Sequence, residues 1–231
     1  DEYWTVGLKL RKERSAMFQA DLVQIDGKRL AVTDEEGKKI ALHNESEAMA
    51  VTEDFAKQAL TVASVRRSER RRKPAAPFTT SSLQQDAARK LGFTSRKTMM
   101  LAQQLYEGIE LGRHGSTGLI TYMRTDSTRI SELAQQEAKS FLLEAFGPEF
   151  VPEKANVYVT GKKAQDAHEA IRPTSLVHTP DSLEKYLNKD QLKLYTLVWQ
   201  RFAASQMTPA IYDTMAIAIK SGDRYDLRAN G

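Results

Sequence analysis

The sequence predicts an α+β multi-domain fold, in which a mainly helical domain is inserted into a discontinuous β-rich one. Three observations predict it. Apolar and polar residues alternate with strand period near both ends, over residues 3–10, 15–25, 212–219 and 225–228. Between residues 81 and 206 the apolar positions recur at helical spacing instead. Two proline-marked crossings separate the patterns: residues 73–80, which carry Pro74 and Pro77, and Thr208-Pro209. The expected β-rich domain is therefore residues 1–78 and 208–231, with the crossings as its hinge, and the expected helical domain is residues 79–207.

Composition narrows the chemistry. The 231 residues are 41% hydrophobic and hold no apolar run near the ~20 residues of a membrane span, so no membrane partner is expected. There is no cysteine, which removes disulfides, thiolate metal sites and Cys nucleophiles together. His43, His114, His168 and His178 show no metal-ligand spacing, so no metal site is expected within the chain. A net charge of +4 and a pI near 9.1 are compatible with nucleic acid. The chain opens on Asp1-Glu2 without an initiator Met and ends on the hairpin-like Asn230-Gly231, so a piece of a longer protein is expected.

The elements follow in order. Asp26-Gly27 is a tight turn between strands 15–25 and 28–33, and Asp34, Glu35, Glu36 and Gly37 mark another. Ala48, Val51, Phe55, Ala59 and Leu60 fall near helical spacing, with no obvious capping box at Ser46. A strand over 61–65 runs into Arg66, Arg67, Arg70, Arg71, Arg72 and Lys73. This charge run reads either as a solvated edge that resists pairing or as a contact for phosphates. Ser81 or Ser82 starts a helix with Leu83, Ala87, Ala88 and Leu91 inside, and Gly92 ends it. Thr94 or Ser95 starts the next, where Met99, Ala102, Leu105 and Tyr106 recur. Gly108, Gly112, Gly115 and Gly118 then break the chain. Ser131 caps a helix over 132–145, and residues 149–164 read as loop with an apolar patch at 157–159. Another helix begins after Thr179-Pro180-Asp181, and the last spans 190–206.

Two motifs carry chemistry. The first is GLITYMRTDST at 118–128. If extended through Arg124, it sets Ile120, Tyr122 and Arg124 on one face. A phenol with a pKa near ~10 is a weak nucleophile until a cation stabilises the phenolate or the phosphate it attacks. Arg124 suits either role, because its planar fork matches two phosphate oxygens. Thr121, Thr125 and Ser127 could donate further hydrogen bonds, and Asp126 could orient Arg124. Core packing of a strand tyrosine is the plainer reading. The second motif is AHEAIRPT at 167–174. A helical turn there would put His168 and Arg172 on one face as a second phosphate clamp, with His168 able to shuttle a proton. A surface turn with His168 bonded to Glu169 or to a carbonyl is its plainer reading.

The two motifs, in this order, resemble the type IA DNA topoisomerases, the bacterial enzymes in particular. APFTTSSLQQDAARKLGFTSRKTMMLAQQLYEG at 76–108 and LYTLVWQRFAASQMTPAIYDT at 194–214 extend the resemblance, which is weaker in the first 45 residues. The resemblance implies that Tyr122 is a nucleophile that takes the 5′ phosphate of single-stranded DNA, with release of a 3′ hydroxyl. It implies that Arg124 positions Tyr122 and the phosphate and that His168 contacts the phosphate, with Arg172 in the same motif. Thr121, Thr125, Asp126, Ser127 and Arg172 are expected to bind the DNA beside them. The resemblance implies strand passage, relaxation of negative supercoils without ATP, and a cytoplasmic, chromosome-associated enzyme. The fold it implies is a tyrosine-bearing helical domain hung from a strand-rich arch.

One part of the family pattern is missing. Its amino-terminal metal-binding domain carries a Glu and an Asp-x-Asp-x-Glu set for Mg²⁺, and no Asp-x-Asp occurs in this sequence. Mg²⁺ is therefore expected in the full-length enzyme and not in this chain. The chain is expected to need that domain as its partner and to be inactive in relaxation alone. Tyrosine recombinases and type IB enzymes also set Tyr, Arg and His on phosphate, but there the Tyr follows the Arg and His clusters. The non-enzymatic alternative is a single-stranded DNA-binding module with Tyr122 as a stacking platform.

Overall fold

The computed structural model describes residues 4–11, 16–30, 42–55, 57–112, 115–158 and 168–231. In chain order the elements are β1 (Gly7–Leu10), β2 (Phe18–Ile25), β3 (Lys28–Arg29), α1 (Glu45–Phe55) and β4 (Leu60–Arg72). They continue with α2 (Thr80–Leu91), α3 (Ser95–Glu107), β5 (Ile109–Glu110), β6 (Ser116–Thr117) and α4 (Glu132–Phe146). The last are α5 (Pro180–Leu183), α6 (Lys189–Ser205), β7 (Ala210–Ser221) and β8 (Tyr225–Asn230). The expected turn at 34–37, the far end of strand 28–33, Tyr3, His114, Val159 and Ala167 lie outside the described residues.

The chain divides into two units. Asp1–Arg71 and Ile211–Gly231 form one, and Arg72–Ala210 the other. The divisions fall outside the proline-marked positions, and the reason is visible at Phe78. Its side chain is fully buried and its backbone bridges Ile171, so the stretch read as a linker is core of the second unit.

The first unit is built on a sheet ordered β1-β2-β8-β7-β4, with β3 also paired to β2. Asp26 and Gly27 both take positive φ, the geometry of a two-residue hairpin, and Ile25 faces Lys28 across it. Strand alternation turns Ile219, Tyr225, Leu227 and Ala229 to one side, where they pack with Val51 and Phe55 of α1. Asn44 caps α1 by accepting the Glu47 N–H at 2.9 Å, a start the sequence reading missed. The helix stops at Phe55, short of the expected Ala59 and Leu60. The arginine run is itself strand: β4 is exposed throughout and lies at the edge of the sheet. Gly231 does not turn; its backbone exchanges two hydrogen bonds with Met215.

The second unit is helical. Thr79 and Ser82 form the capping box of α2, with Gly92 in the left-handed conformation after it. Thr94, Ser131 and Asn188 cap α3, α4 and α6 with their side chains. Helix α6 serves two cores. Leu194, Tyr195 and Val198 pack with Leu83 of α2 and Leu101 and Leu105 of α3, while Phe202 and Ala203 pack with Ala134, Ala138 and Leu142 of α4. Burial pushes the Tyr195 phenol up, and its hydroxyl donates to the His178 carbonyl at 2.6 Å.

A buried charge ties α2 to α6. Asp86 is 4% exposed and accepts hydrogen bonds from Arg89 and, at 2.5 Å, from Arg201. Burial would raise its carboxyl, but the bonds from Arg89, Arg201 and Lys90 outweigh burial and hold it below the ordinary range. The Arg201 guanidinium also covers the Phe78 ring at 4.4 Å. Asp86→Asn should therefore lower stability by about 1.5–3 kcal/mol, the range for hydrogen bonds to charged groups. A thermal melt at pH 7 checks it, and an unchanged midpoint would show that the tie contributes nothing.

Candidate active site

Residues 119–131 make no regular element, yet half of them are buried, so their backbone groups need partners. The stretch 168–174 supplies one set. The Thr121 N–H donates to Arg172 O at 2.9 Å and the Thr174 N–H to Leu119 O at 3.0 Å, and Ile120 bridges Pro173 in antiparallel sense. The Thr121 hydroxyl donates to Ala170 O at 2.7 Å and accepts the Arg172 N–H at 3.0 Å. On the far side, the Ile171 N–H reaches Phe78 O at 2.8 Å and the Ala170 N–H reaches Arg129 O at 2.8 Å. Thr80, at the start of α2, supplies the other set. Its hydroxyl donates to Met123 O at 2.7 Å and accepts the Thr125 N–H at 2.9 Å. Gly118 opens the stretch because a Cβ there would sit 2.7 Å from the Tyr106 carbonyl oxygen.

This lattice decides which side chains face out. Met123, Thr125 and Ser127 are buried, while Tyr122 (39% exposed), Arg124 and Asp126 are exposed. Ile120 is buried and so parts from Tyr122 and Arg124, contrary to the shared face expected of a straight strand; the chain bends at Met123 and Arg124. The hydroxyls read as phosphate donors point elsewhere. The Thr125 hydroxyl accepts the Ser127 N–H and the Ser127 hydroxyl accepts the Arg129 N–H, both at 3.1 Å. Together with Thr121 they satisfy backbone. Asp126 makes no ion pair with Arg124. Arg124 itself forms no hydrogen bond or ion pair among the described residues, and borders an open groove along α3 with Arg96, Met99, Met100, Gln103 and Glu107.

The second motif is extended where a helical turn was expected, because Ile171 and Pro173 bridge to Phe78 and Ile120 on opposite sides. Arg172 therefore does not join His168 in a clamp. Its guanidinium is spent on Glu169, with Nη2 2.7 Å and Nε 3.1 Å from Oε2, and on Pro173 O at 3.0 Å. Glu169 Oε1 accepts the Ser131 N–H at 2.6 Å, next to the start of α4. Burial would raise the Glu169 carboxyl, but Ser131 and Arg172 outweigh burial and hold it low.

His168 does reach Tyr122: the rings lie 5.7 Å apart at 32°. Tyr106, from the last turn of α3, meets Tyr122 edge-on at 5.5 Å and 68°. The site thus gathers three rings, Tyr106, Tyr122 and His168, from separate parts of the chain, with Arg124 nearby in sequence. Sequence reasoning put Tyr106 on the apolar stripe of α3. The usable signal was its place beside Leu105: Leu101, Ala102 and Leu105 fill the core, and Tyr106 is left 42% exposed. An exposed phenol beside an imidazole, with an uncommitted guanidinium two residues on, is equipped to attack a phosphorus and hold the charge of the phosphate. Among the described residues no group of His, Asp and Glu could hold a metal ion. Among the described residues no helix is long and apolar enough to cross a membrane.

The Glu169 tie sets a pH dependence. A carboxyl whose folded pKa is depressed adds stability above its unfolded value, near ~4.3, and that stability is lost as pH falls through the folded value. Glu169→Gln should melt lower than the native chain at pH 7, and the gap should close as pH drops through that window. A gap that stays constant in acid would mean the carboxylate charge is not what holds the segment.

A sequence model of the DNA topoisomerase family matches residues 1–231. Among solved structures, full-length topoisomerase I from Thermotoga maritima in a monoclinic crystal form is similar, at 39% identity and a TM-score of 0.69, over 92% of this chain and 32% of that one. The chain thus spans about a third of the length of that relative. A match along the whole sequence, with this identity to a solved relative, establishes the family: the chain belongs to the bacterial type IA DNA topoisomerases.

Proposed function

We propose that this chain is the tyrosine-bearing part of an ATP-independent DNA topoisomerase, an isomerase that cuts and rejoins single-stranded DNA. Tyr122 is the nucleophile. Its oxygen attacks a backbone phosphorus, the bond from phosphorus to the 3′ oxygen breaks, and the phenolic proton is passed in net to the departing 3′ oxygen. One ester replaces another, so a 5′-phosphotyrosine conserves the bond and rejoining is the same step reversed. Relaxation of negative supercoils follows when a strand passes between the two steps. The observation that carries this reading is the exposed Tyr122 ring in contact with both Tyr106 and His168.

Arg124 neutralises the phosphate under attack, and with no hydrogen bond or ion pair among the described residues its fork is free for two phosphate oxygens. His168 lies where a proton or a second phosphate oxygen would be handled. Asp126, on the exposed side, borders the strand. The inward hydroxyls of Thr121, Thr125 and Ser127, and the Glu169-bound Arg172, act on DNA only through the shape they give this loop. The family implies Mg²⁺, but the described residues offer no group to bind it. It would belong to an amino-terminal domain of the same full-length chain, and no step here runs through it. The chain alone is then inactive in relaxation, and the whole enzyme works in the cytoplasm on the bacterial chromosome.

The test mixes this chain with the missing amino-terminal half and an oligonucleotide labelled at either end. A covalent adduct on the 5′ end of the fragment downstream of the break is expected, absent in Tyr122→Phe and absent without the other half. An adduct on the 3′ end of the upstream fragment, or one that survives Tyr122→Phe, would refute the assignment. No adduct from the native chain, with binding weakened in Tyr122→Ala, would leave a stacking module in its place. Tyr106 has its own test. An edge-on aromatic pair contributes about 0.5–1.5 kcal/mol, so Tyr106→Ala should slow adduct formation roughly two- to tenfold while Tyr106→Phe, which keeps the ring, restores it. Equal rates in both variants would remove Tyr106 from the site.

A further inference from the structure

We infer that the first unit carries a second nucleic-acid contact, built from residues other than those around Tyr122: a groove on the outer face of its sheet that holds the phosphodiester backbone of a DNA strand. The inference rests on the reading of this family member as a DNA-handling protein. Strand alternation sorts the arginine run by side. Arg66, Ser68 and Arg70 of β4 line one groove, with Thr214 of β7 and Arg228 and Asn230 of β8. This is the face opposite the core, since Arg228 and Asn230 alternate with buried Leu227 and Ala229. A groove against the other side of β4 is lined by Arg67 together with Glu69 and Asp213. The first groove sets three arginines together with no acidic side chain in its lining, while the second sets Glu69 and Asp213 beside Arg67. A strand that merely resists edge pairing needs charge, but it does not need charge sorted by side.

The details suit a polyanion. No acidic side chain lines the first groove, whose lining also includes Gly231. Arg66 and Arg70 make no ion pair or hydrogen bond among the described residues. Arg228 donates Nε–H to Asn230 at 3.0 Å and faces Asp21 across the ladder, which leaves the other guanidinium nitrogens for a ligand. The floor is polar: the Thr214 hydroxyl donates to Ser68 O at 2.8 Å, with the Ser68 hydroxyl 3.0 Å away. Arg66 and Arg70 stand four residues apart on a strand, roughly 13 Å along the backbone, too far to share one small anion and suited to separate phosphates of one chain. Tyr212 alternates with Thr214 onto the same face and is 49% exposed, so a base can stack there.

Anisotropy titrations of the full 231-residue chain with a fluorescein-labelled oligo-dT strand over a salt series test the groove. Each phosphate neutralised on a single strand adds about 0.7 to the slope of log affinity against log salt, so Arg66→Gln/Arg70→Gln/Arg228→Gln should lower the slope by about 2. Arg67→Gln/Arg71→Gln, on the other side of β4, should leave it within error of the native value. An equal loss per arginine in both variants, or none in either, overturns the groove. So does polyglutamate that competes as well as DNA at equal charge, which would assign the face to an acidic protein. The adduct assay at Tyr122 is read separately. A groove effect without any adduct would sink the catalytic reading and leave the groove standing.

Discussion

Everything at this site depends on one requirement: irregular backbone taken out of water must still find hydrogen-bond partners. Residues 119–131 run through the second unit without a helix or a ladder of their own. Threonine and serine hydroxyls close the account. Thr80, Thr121, Thr125 and Ser127 each bond to backbone of the segment or of its neighbours. A hydroxyl both donates and accepts, so one side chain can serve two backbone groups. The density of such residues around Tyr122 is therefore first a matter of folding, and only through folding a matter of chemistry.

Once those hydroxyls turn inward, the side chains between them must turn outward. Tyr122, Arg124 and Asp126 reach solvent because Met123, Thr125 and Ser127 are pinned. The lattice also fixes Tyr122 sideways, since it brings up both the end of α3 with Tyr106 and the extended stretch with His168. A nucleophile gains from being held by elements that do not themselves react. Glu169 and Arg172 belong to that support, as a partly buried ion pair placed beside the start of α4.

The first unit follows a simpler rule. A strand shows alternate residues to opposite faces, so a run of arginines broken by serine and glutamate becomes two surfaces of different charge. The core side of the same sheet takes Ile219, Leu227 and Ala229, and its outer side keeps Arg228 and Asn230.

The sequence by itself determined what depends on nearest neighbours along the chain. Asp26-Gly27 turned as its φ preferences require, and Thr94 and Ser131 capped the helices they precede. The α+β class and the helical block between β-rich ends were legible because period-2 and period-3.6 patterns are local. The motifs around Tyr122 and His168 marked the family before any fold was in hand. Tertiary structure decided the rest, because a hydroxyl or a guanidinium has several possible partners and only packing chooses among them. It turned Thr125 and Ser127 inward, gave Arg172 to Glu169 instead of to the His168 face, and set Phe78 in the core of a stretch that its prolines had marked as a linker. It also brought Tyr106 against Tyr122, a contact that closes only when α3 and the loop after Gly118 meet.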